Sequence, residues 1–305
     1  MTGPLTPSPI LQTITPVTHD LGAFKVRRAI PSRERTMVGP FIFVDEFGPA
    51  QLADGDAMDV RPHPHINLAT VTWLFGGEFA GAIDHRDSLG NFATIRPGQV
   101  NLMTAGSGIV HSERSPLSER PGRPKLYGMQ TWLALPDGQE EIAPAFETQS
   151  GLPLIEDNCV SARVIMGSLW GASAATTCHA HTIYAEIVLT PSGAIPIDPE
   201  ADERAVMLVG GEAQIDGTAL ELYALTVLAP GAALRLSSES GGRVMLLGGE
   251  AFKTRRHVWW NFVSSSHDRI VQAREDWRAG RFPKVPGDEE EFIPLPDLAR
   301  VVSYP

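Results

Sequence analysis

Short alternating or apolar runs recur throughout the chain, and turn residues close them. Phe41-Ile42-Phe43-Val44, Ala69 to Phe75, Val100 to Met103, Gln130 to Leu135, Tyr184 to Leu189, Ala205 to Val209, Leu225 to Leu228 and Val244 to Leu247 all read as strands. Between them stand Gly76-Gly77, Gly90-Asn91, Pro97-Gly98, Pro230-Gly231 and Gly241-Gly242. In such dipeptides Gly supplies a positive φ, and Pro presets φ at about −65°. One helix is predicted, at about Asp268 to Ala279. Ser264, Ser265 and Ser266 offer N-cap oxygens, Ile270, Val271 and Trp277 share a face, and Gly280 stops it. A helical turn is expected near Gly138 to Ile142, ended by Pro144.

A faint internal repeat organises these elements. Trp73-Leu-Phe-Gly-Gly-Glu78 resembles Met207-Leu-Val-Gly-Gly-Glu212, and a Pro-Gly turn follows each copy, at Pro97-Gly98 and Pro230-Gly231. Two similar β-lobes account for this, with a boundary near residue 150, giving domains 1–150 and 151–305. The acidic stretch Asp288-Glu-Glu-Glu291, flanked by prolines, reads as a solvated loop.

Composition sharpens the picture. With 29 Gly and 25 Pro among 305 residues, long helices are disfavoured and an all-β fold with a few short helices is expected. The 43% of hydrophobic residues can fill a sizeable core, and 20% charged residues argue against disorder. A net charge of −11 without a local basic patch disfavours nucleic acid as a direct ligand. Cys159 and Cys178 cannot make a disulfide framework and read as two buried thiols in a reducing compartment. The opening residues show neither a basic leader nor a long apolar run, and no segment approaches ~18 consecutive apolar residues. No membrane partner is expected, and the expected location is cytoplasmic.

The candidate chemistry lies in Arg61-Pro-His-Pro-His65. On a strand, residues i and i+2 share a face, so His63 and His65 aim two imidazoles at one point. Prolines at 62 and 64 remove ladder donors, which suits an edge or irregular strand. His111-Ser-Glu113 is a second such pair. Three His and one Glu suit a divalent transition metal that keeps open positions, iron first among them. Spacing alone leaves another reading open, since histidine pairs also occur as ordinary hydrogen-bonded residues. The Gly-rich run before His111 lacks the pattern of a nucleophile elbow or a phosphate loop. His85 is expected at a hairpin turn, with a place on the rim of the site as the alternative. His179 and His181 form a third i, i+2 pair, but no His-x-Glu follows, and the repeat places Ile197 and Pro199 where the first lobe has His63 and His65. A structural or surface role is therefore expected for them.

At these residues the sequence resembles the pirin family of the cupin superfamily. The resemblance rests on Gly39-Pro-Phe-Ile-Phe-Val-Asp-Glu-Phe47, His63-Pro-His65, Thr70-Val-Thr72, Arg86-Asp-Ser-Leu-Gly90, Pro97-Gly98, Met103-Thr-Ala-Gly106 and Gly108-Ile-Val-His-Ser-Glu113. It extends through Gln130-Thr-Trp-Leu-Ala-Leu-Pro136, Trp259-Trp-Asn-Phe-Val263 and Gly280-Arg-Phe282. It implies two tandem cupin (jelly-roll β-barrel) lobes, the first holding one metal, usually Fe2+, on His63, His65, His111 and Glu113, and the second metal-free. Three positions depart from the pattern: Ala69 stands in the general cupin Glu slot, Ile66-Asn67 where many pirins have Arg-Gly, and Gly106-Ser107-Gly108 where the family has Gly-Arg-Gly.

The resemblance also implies a function of one of two kinds. Some bacterial pirins open flavonols with O2 in a quercetin 2,3-dioxygenase reaction. Here Glu113 would be a ligand or the base, Phe75, Met103 and Trp132 would line the pocket, and Gln130 would orient a ligand or metal-bound water. Other pirins are non-enzymatic redox or metal sensors that bind a protein partner, so the resemblance leaves enzyme and regulator both open.

Overall fold

A computed structural model describes residues 8–297 and the backbone of 302–304. Strands dominate it, and all the strand pairings described are antiparallel. Two sheets of seven strands follow one plan. In the first, the spatial order is Ala145–Gln149, Val100–Thr104, Leu68–Leu74, Lys125–Ala134, Phe41–Gln51, Lys25–Ile30 and Val17–Asp20. In the second it is Ile10–Ile14, Leu225–Leu228, Glu203–Gly211, Gly242–Gly249, Thr182–Leu189, Val160–Met166 and Leu154–Asp157. The two strands that carry the sequence repeat, Leu68–Leu74 and Glu203–Gly211, occupy the same third place. A four-stranded sheet accompanies each. Asp59–His65 pairs with Ile109–Arg114, which pairs with Ile83–Asp87 and then Phe92–Ile95, and Ala194–Ile197 opens the matching set.

The compact units do not break cleanly at residue 150. One gathers the chain up to Val17, Ala29–Pro40 and Leu152–Ala251; the other gathers Thr18–Arg28, Phe41–Gly151 and the chain from Phe252 onward. Edge completion explains the first exchange, because Ile10–Ile14 pairs with Leu225–Leu228. Apolar burial explains the second. Trp259, Phe262, Ile270 and Ala273 pack with Ile66, immediately after the His63–His65 pair. The Arg-to-Ile departure at 66 is thus a core residue with no exposure. Asn67 has φ 58°, the left-handed region that Gly adopts freely and Asn tolerates, so it can stand where the resemblance expects Gly.

The predicted helix is present at His267–Arg278. Ser266 caps it by accepting from Arg269 N, and Gly280 follows at φ 66°. The turn expected near Gly138 to Ile142 is not helical. Hydrogen-bonded turns stand there instead, Gln139 N to Pro136 O and Ile142 N to Gln139 O. The acidic tail is not merely solvated, since Asp288 and Glu291 both hold Arg114. Neither cysteine forms a disulfide; Cys159 is half-buried and Cys178 exposed, so neither is the buried thiol expected. Among the described residues no helix is long and apolar enough to cross a membrane.

The interiors of the two lobes differ in chemistry. In the second, Ile195, Ile197, Leu208, Leu236 and their neighbours form one apolar cluster. Ile197, which holds the position equivalent to His63 in the repeat, is part of that packing. In the first, a smaller apolar cluster of Phe24, Phe47, Met58, Leu74 and Ile95 shares the interior with a polar site.

Candidate metal centre

Strand register brings the histidines together. His111 stands directly opposite His63, and Ile109 opposite His65. With i and i+2 on one face, all three imidazoles point the same way. Their ring centroids lie 4.4 Å (His63–His111), 5.0 Å (His63–His65) and 5.1 Å (His65–His111) apart. One nitrogen from each falls within 4.8 Å of the others.

The nitrogen inventory fits a cation. His63 Nδ1 lies 2.9 Å from Arg61 O, and His65 Nδ1 3.1 Å from Asn261 O. A carbonyl only accepts, so each Nδ1 carries the proton and each Nε2 presents a lone pair. His65 Nε2 and both ring nitrogens of His111 are buried with no hydrogen-bond partner. Unpaired buried polar atoms are costly unless something satisfies them, and a divalent transition ion suits three converging imidazoles. Burial lowers the pKa of His63 to about 4 and holds His65 and His111 well below the ordinary imidazole value. All three are therefore neutral at pH 7, the form in which an imidazole can ligate a metal.

Glu113 does not join this tight group. Its ladder slips by one residue after His111, so Glu113 stands opposite Val60 on one side and His85 on the other. Its carboxylate is buried, and Oε1 lies 3.3 Å from Thr72 Oγ1. Burial raises its pKa, with the His85 charge and the Thr72 hydroxyl acting the other way. Thr72 Oγ1 is also 2.9 Å from Gln130 Oε1. One hydroxyl proton serves one acceptor at a time, which links Gln130 to Glu113 through Thr72.

The facing sheet supplies two rows of side chains. Register aligns Phe43, Trp132, Thr70, Met103 and Phe146 in one row, and Asp45, Gln130, Thr72, Asn101 and Thr148 in the next. The T-shaped contact of Trp132 with His65 (4.9 Å) and the Thr72–Glu113 approach place this face toward the histidines. Trp132 stacks on Phe43 at 4.0 Å, and Arg28 covers Phe43 from beyond while pairing with Asp45. Asn101 Oδ1 accepts from Thr148 Oγ1, whereas its buried Nδ2 has no partner. Phe75 falls on the opposite face by the same alternation and meets Tyr127 edge-on, so it is not part of this wall.

His85 takes the alternative expected for it, beside the site, and not the turn. It lies in the strand Ile83–Asp87, not at the turn, and is buried. Its ring stacks on Phe146 at 4.3 Å and sits 5.3 Å from His111, while Nε2 lies 3.2 Å from Asp87 Oδ2. The signal was present as His85-x-Asp87, the same i, i+2 spacing that marked the other pairs. By contrast, His181 is exposed and His179 half-buried, and neither belongs to the His63–His65–His111 group.

Comparison with known proteins agrees with this architecture. Family models described as Pirin and as Pirin C-terminal cupin domain match residues 23–133 and 184–283. A pirin-like protein of Caulobacter vibrioides is 45% identical over 91% of this chain and 96% of its own. The crystal structure of a quercetin 2,3-dioxygenase from Acinetobacter baumannii superposes with a TM-score of 0.85 at 34% identity, covering 96% of this chain and 98% of that one. The bacterial pirin YhhW of Escherichia coli, solved with nickel(II), shares the fold at 17% identity, with a TM-score of 0.61 over 78% of this chain and 98% of its own.

Proposed function

The chain belongs to the pirin family, and from that premise we propose that it is a metal-dependent dioxygenase that opens flavonols with O2, as a quercetin 2,3-dioxygenase does. The observation that carries this reading is the convergence of three buried, neutral imidazoles, with His65 Nε2 and both ring nitrogens of His111 left without a protein partner. His63, His65 and His111 would hold one divalent transition ion, Fe2+ in our reading, with Glu113 as the fourth ligand. When bound, the ion supplies Lewis acidity that lowers the pKa of a nearby hydroxyl, and a redox-active centre for dioxygen chemistry.

The remaining work falls to this chain's own side chains. Trp132 on Phe43, with Met103 and Phe146 in the same row, offers flat apolar surface to a planar polycyclic substrate. Asn101 Nδ2 is a buried donor in need of an acceptor, and a flavonol carbonyl is one. Detached from the ion, Glu113 would accept the proton of the flavonol 3-hydroxyl at a carboxylate oxygen. Burial favours its protonated form once it is detached, and Thr72 can turn its hydroxyl from Gln130 toward the Glu113 carboxylate while that group is charged. The enclosed setting limits water, which strengthens each of these contacts.

The decisive experiment reconstitutes the purified protein with ferrous iron without air, then adds quercetin and air. Flavonol absorbance and oxygen uptake are followed together, with metal content by elemental analysis. Coupled loss of flavonol and oxygen that disappears in His63→Ala supports the reading. Full metal occupancy without consumption of any flavonol overturns it, and favours a sensor that works through a protein partner.

A further inference from the structure

A cavity lies behind the strands that carry the histidines. Its volume is about 600 Å³, and its walls include Trp277, Phe282, Phe292 and Leu295 with Pro62 and Val110. Pro62 and Val110 each precede a ligand histidine. Since side chains alternate across a strand, they face away from the side on which His63 and His111 converge, so the two sites are separate. Trp277 meets Phe282 at 5.8 Å and Phe292 at 5.9 Å, both edge-on, leaving aromatic surface on the wall.

The charges on the lining divide unequally. Asp288 and Glu291 are taken up by Arg114, and Arg278 by Glu275. Lys284, Glu289 and Asp297 are exposed, where solvent screens them. Arg274 is different. Its guanidinium lies 4.3 Å over Trp259, its Nε is buried without a hydrogen-bond partner, and it has no ion pair among the described residues. Its terminal nitrogens make no ion pair with the described residues, and their planar fork suits a carboxylate.

We propose that this cavity is a second binding site, for a small aromatic carboxylate whose rings lie against Trp277 and Phe282 and whose carboxylate pairs with Arg274. The volume admits a ligand of one to three rings. A phosphate-rich ligand is disfavoured, because a single unpaired guanidinium faces it beside several carboxylates. The site does not depend on the metal or on turnover.

The test uses the metal-free full chain and isothermal titration with 1-naphthoate, with 1-naphthol as the neutral match. Saturable binding of 1-naphthoate is expected, about ten-fold weaker in Arg274→Gln, while 1-naphthol changes little. Phe292→Ala, a substitution at an exposed position, should weaken both. His63→Ala should leave 1-naphthoate binding intact. Absence of saturable binding, equal affinity in Arg274→Gln, or loss in His63→Ala overturns the proposal. Because no step requires metal or oxygen, its failure is separable from failure of the dioxygenase reading.

Discussion

Replacing His111 by leucine separates a metal site from a merely packed histidine cluster. In the metal-free protein both ring nitrogens of His111 are buried and unpartnered. A buried donor or acceptor left unmade costs ~1–3 kcal/mol, so two amount to roughly 2–6 kcal/mol. Leucine removes both and keeps a similar volume, at an imperfect-fit cost of ~1–3 kcal/mol. The midpoints make the metal-free variant more stable than the wild type by about 2 kcal/mol. With metal the order reverses, because free metal at a thousand times its Kd stabilises the wild type by about 4.1 kcal/mol and the variant, one imidazole short, by much less. Urea unfolding followed by tryptophan fluorescence reads this out. Five of the six tryptophans (73, 132, 259, 260 and 277) lie in the unit that holds the site, so the signal reports chiefly on it. A leucine variant that is less stable without metal, and that keeps the metal-induced shift, would refute the reasoning.

Other consequences follow from the same geometry. Glu46 is fully buried beside Arg27, yet burial outweighs the pairing and raises its pKa to about 7. Its folded pKa exceeds the unfolded one, so the folded state holds the extra proton and stability falls as pH rises from about 4.5 through 7. Glu46→Gln should thus gain stability relative to the wild type at pH 8 but not at pH 4, by an amount on the order of 3 kcal/mol at the limit; equal differences in urea midpoint at the two pH values would contradict this. Thr72→Val should lower flavonol turnover about ten-fold while leaving metal content near the wild-type value, because it removes the hydroxyl beside Glu113 and Gln130 but no ligand; metal loss matching the rate loss would assign Thr72 to the ion instead. Gly39→Ala should destabilise the unit built on Leu152–Ala251 by more than ~2 kcal/mol, since φ is +53° and a Cβ would meet Gly249 N at 2.6 Å; an unchanged thermal midpoint would show that the loop can move aside.

Local pattern alone determined much of this molecule. Alternation and turn residues located the eight core strands, and three serines and a glycine marked the helix at its capped start and its stop. The i, i+2 spacing in Arg61-Pro-His-Pro-His65 set two imidazoles on one face, because a strand repeats every two residues whatever surrounds it. The repeat around Gly76-Gly77 and Gly210-Gly211 announced two like lobes.

Other features depend on contacts between residues far apart in sequence, and only the tertiary structure decided them. The opening strand completes an edge more than two hundred residues away, at Leu225–Leu228, because an unpaired sheet edge accepts any strand of fitting register. A one-residue slip after His111 turns Glu113 toward Thr72 and His85, and no spacing rule foretells a bulge. His85 looked like a turn residue until pairing placed it against His111 and Phe146. The cavity beside Arg274 exists because the C-terminal segment folds back over the histidine strands, a consequence of apolar burial around Ile66 that sequence order does not encode.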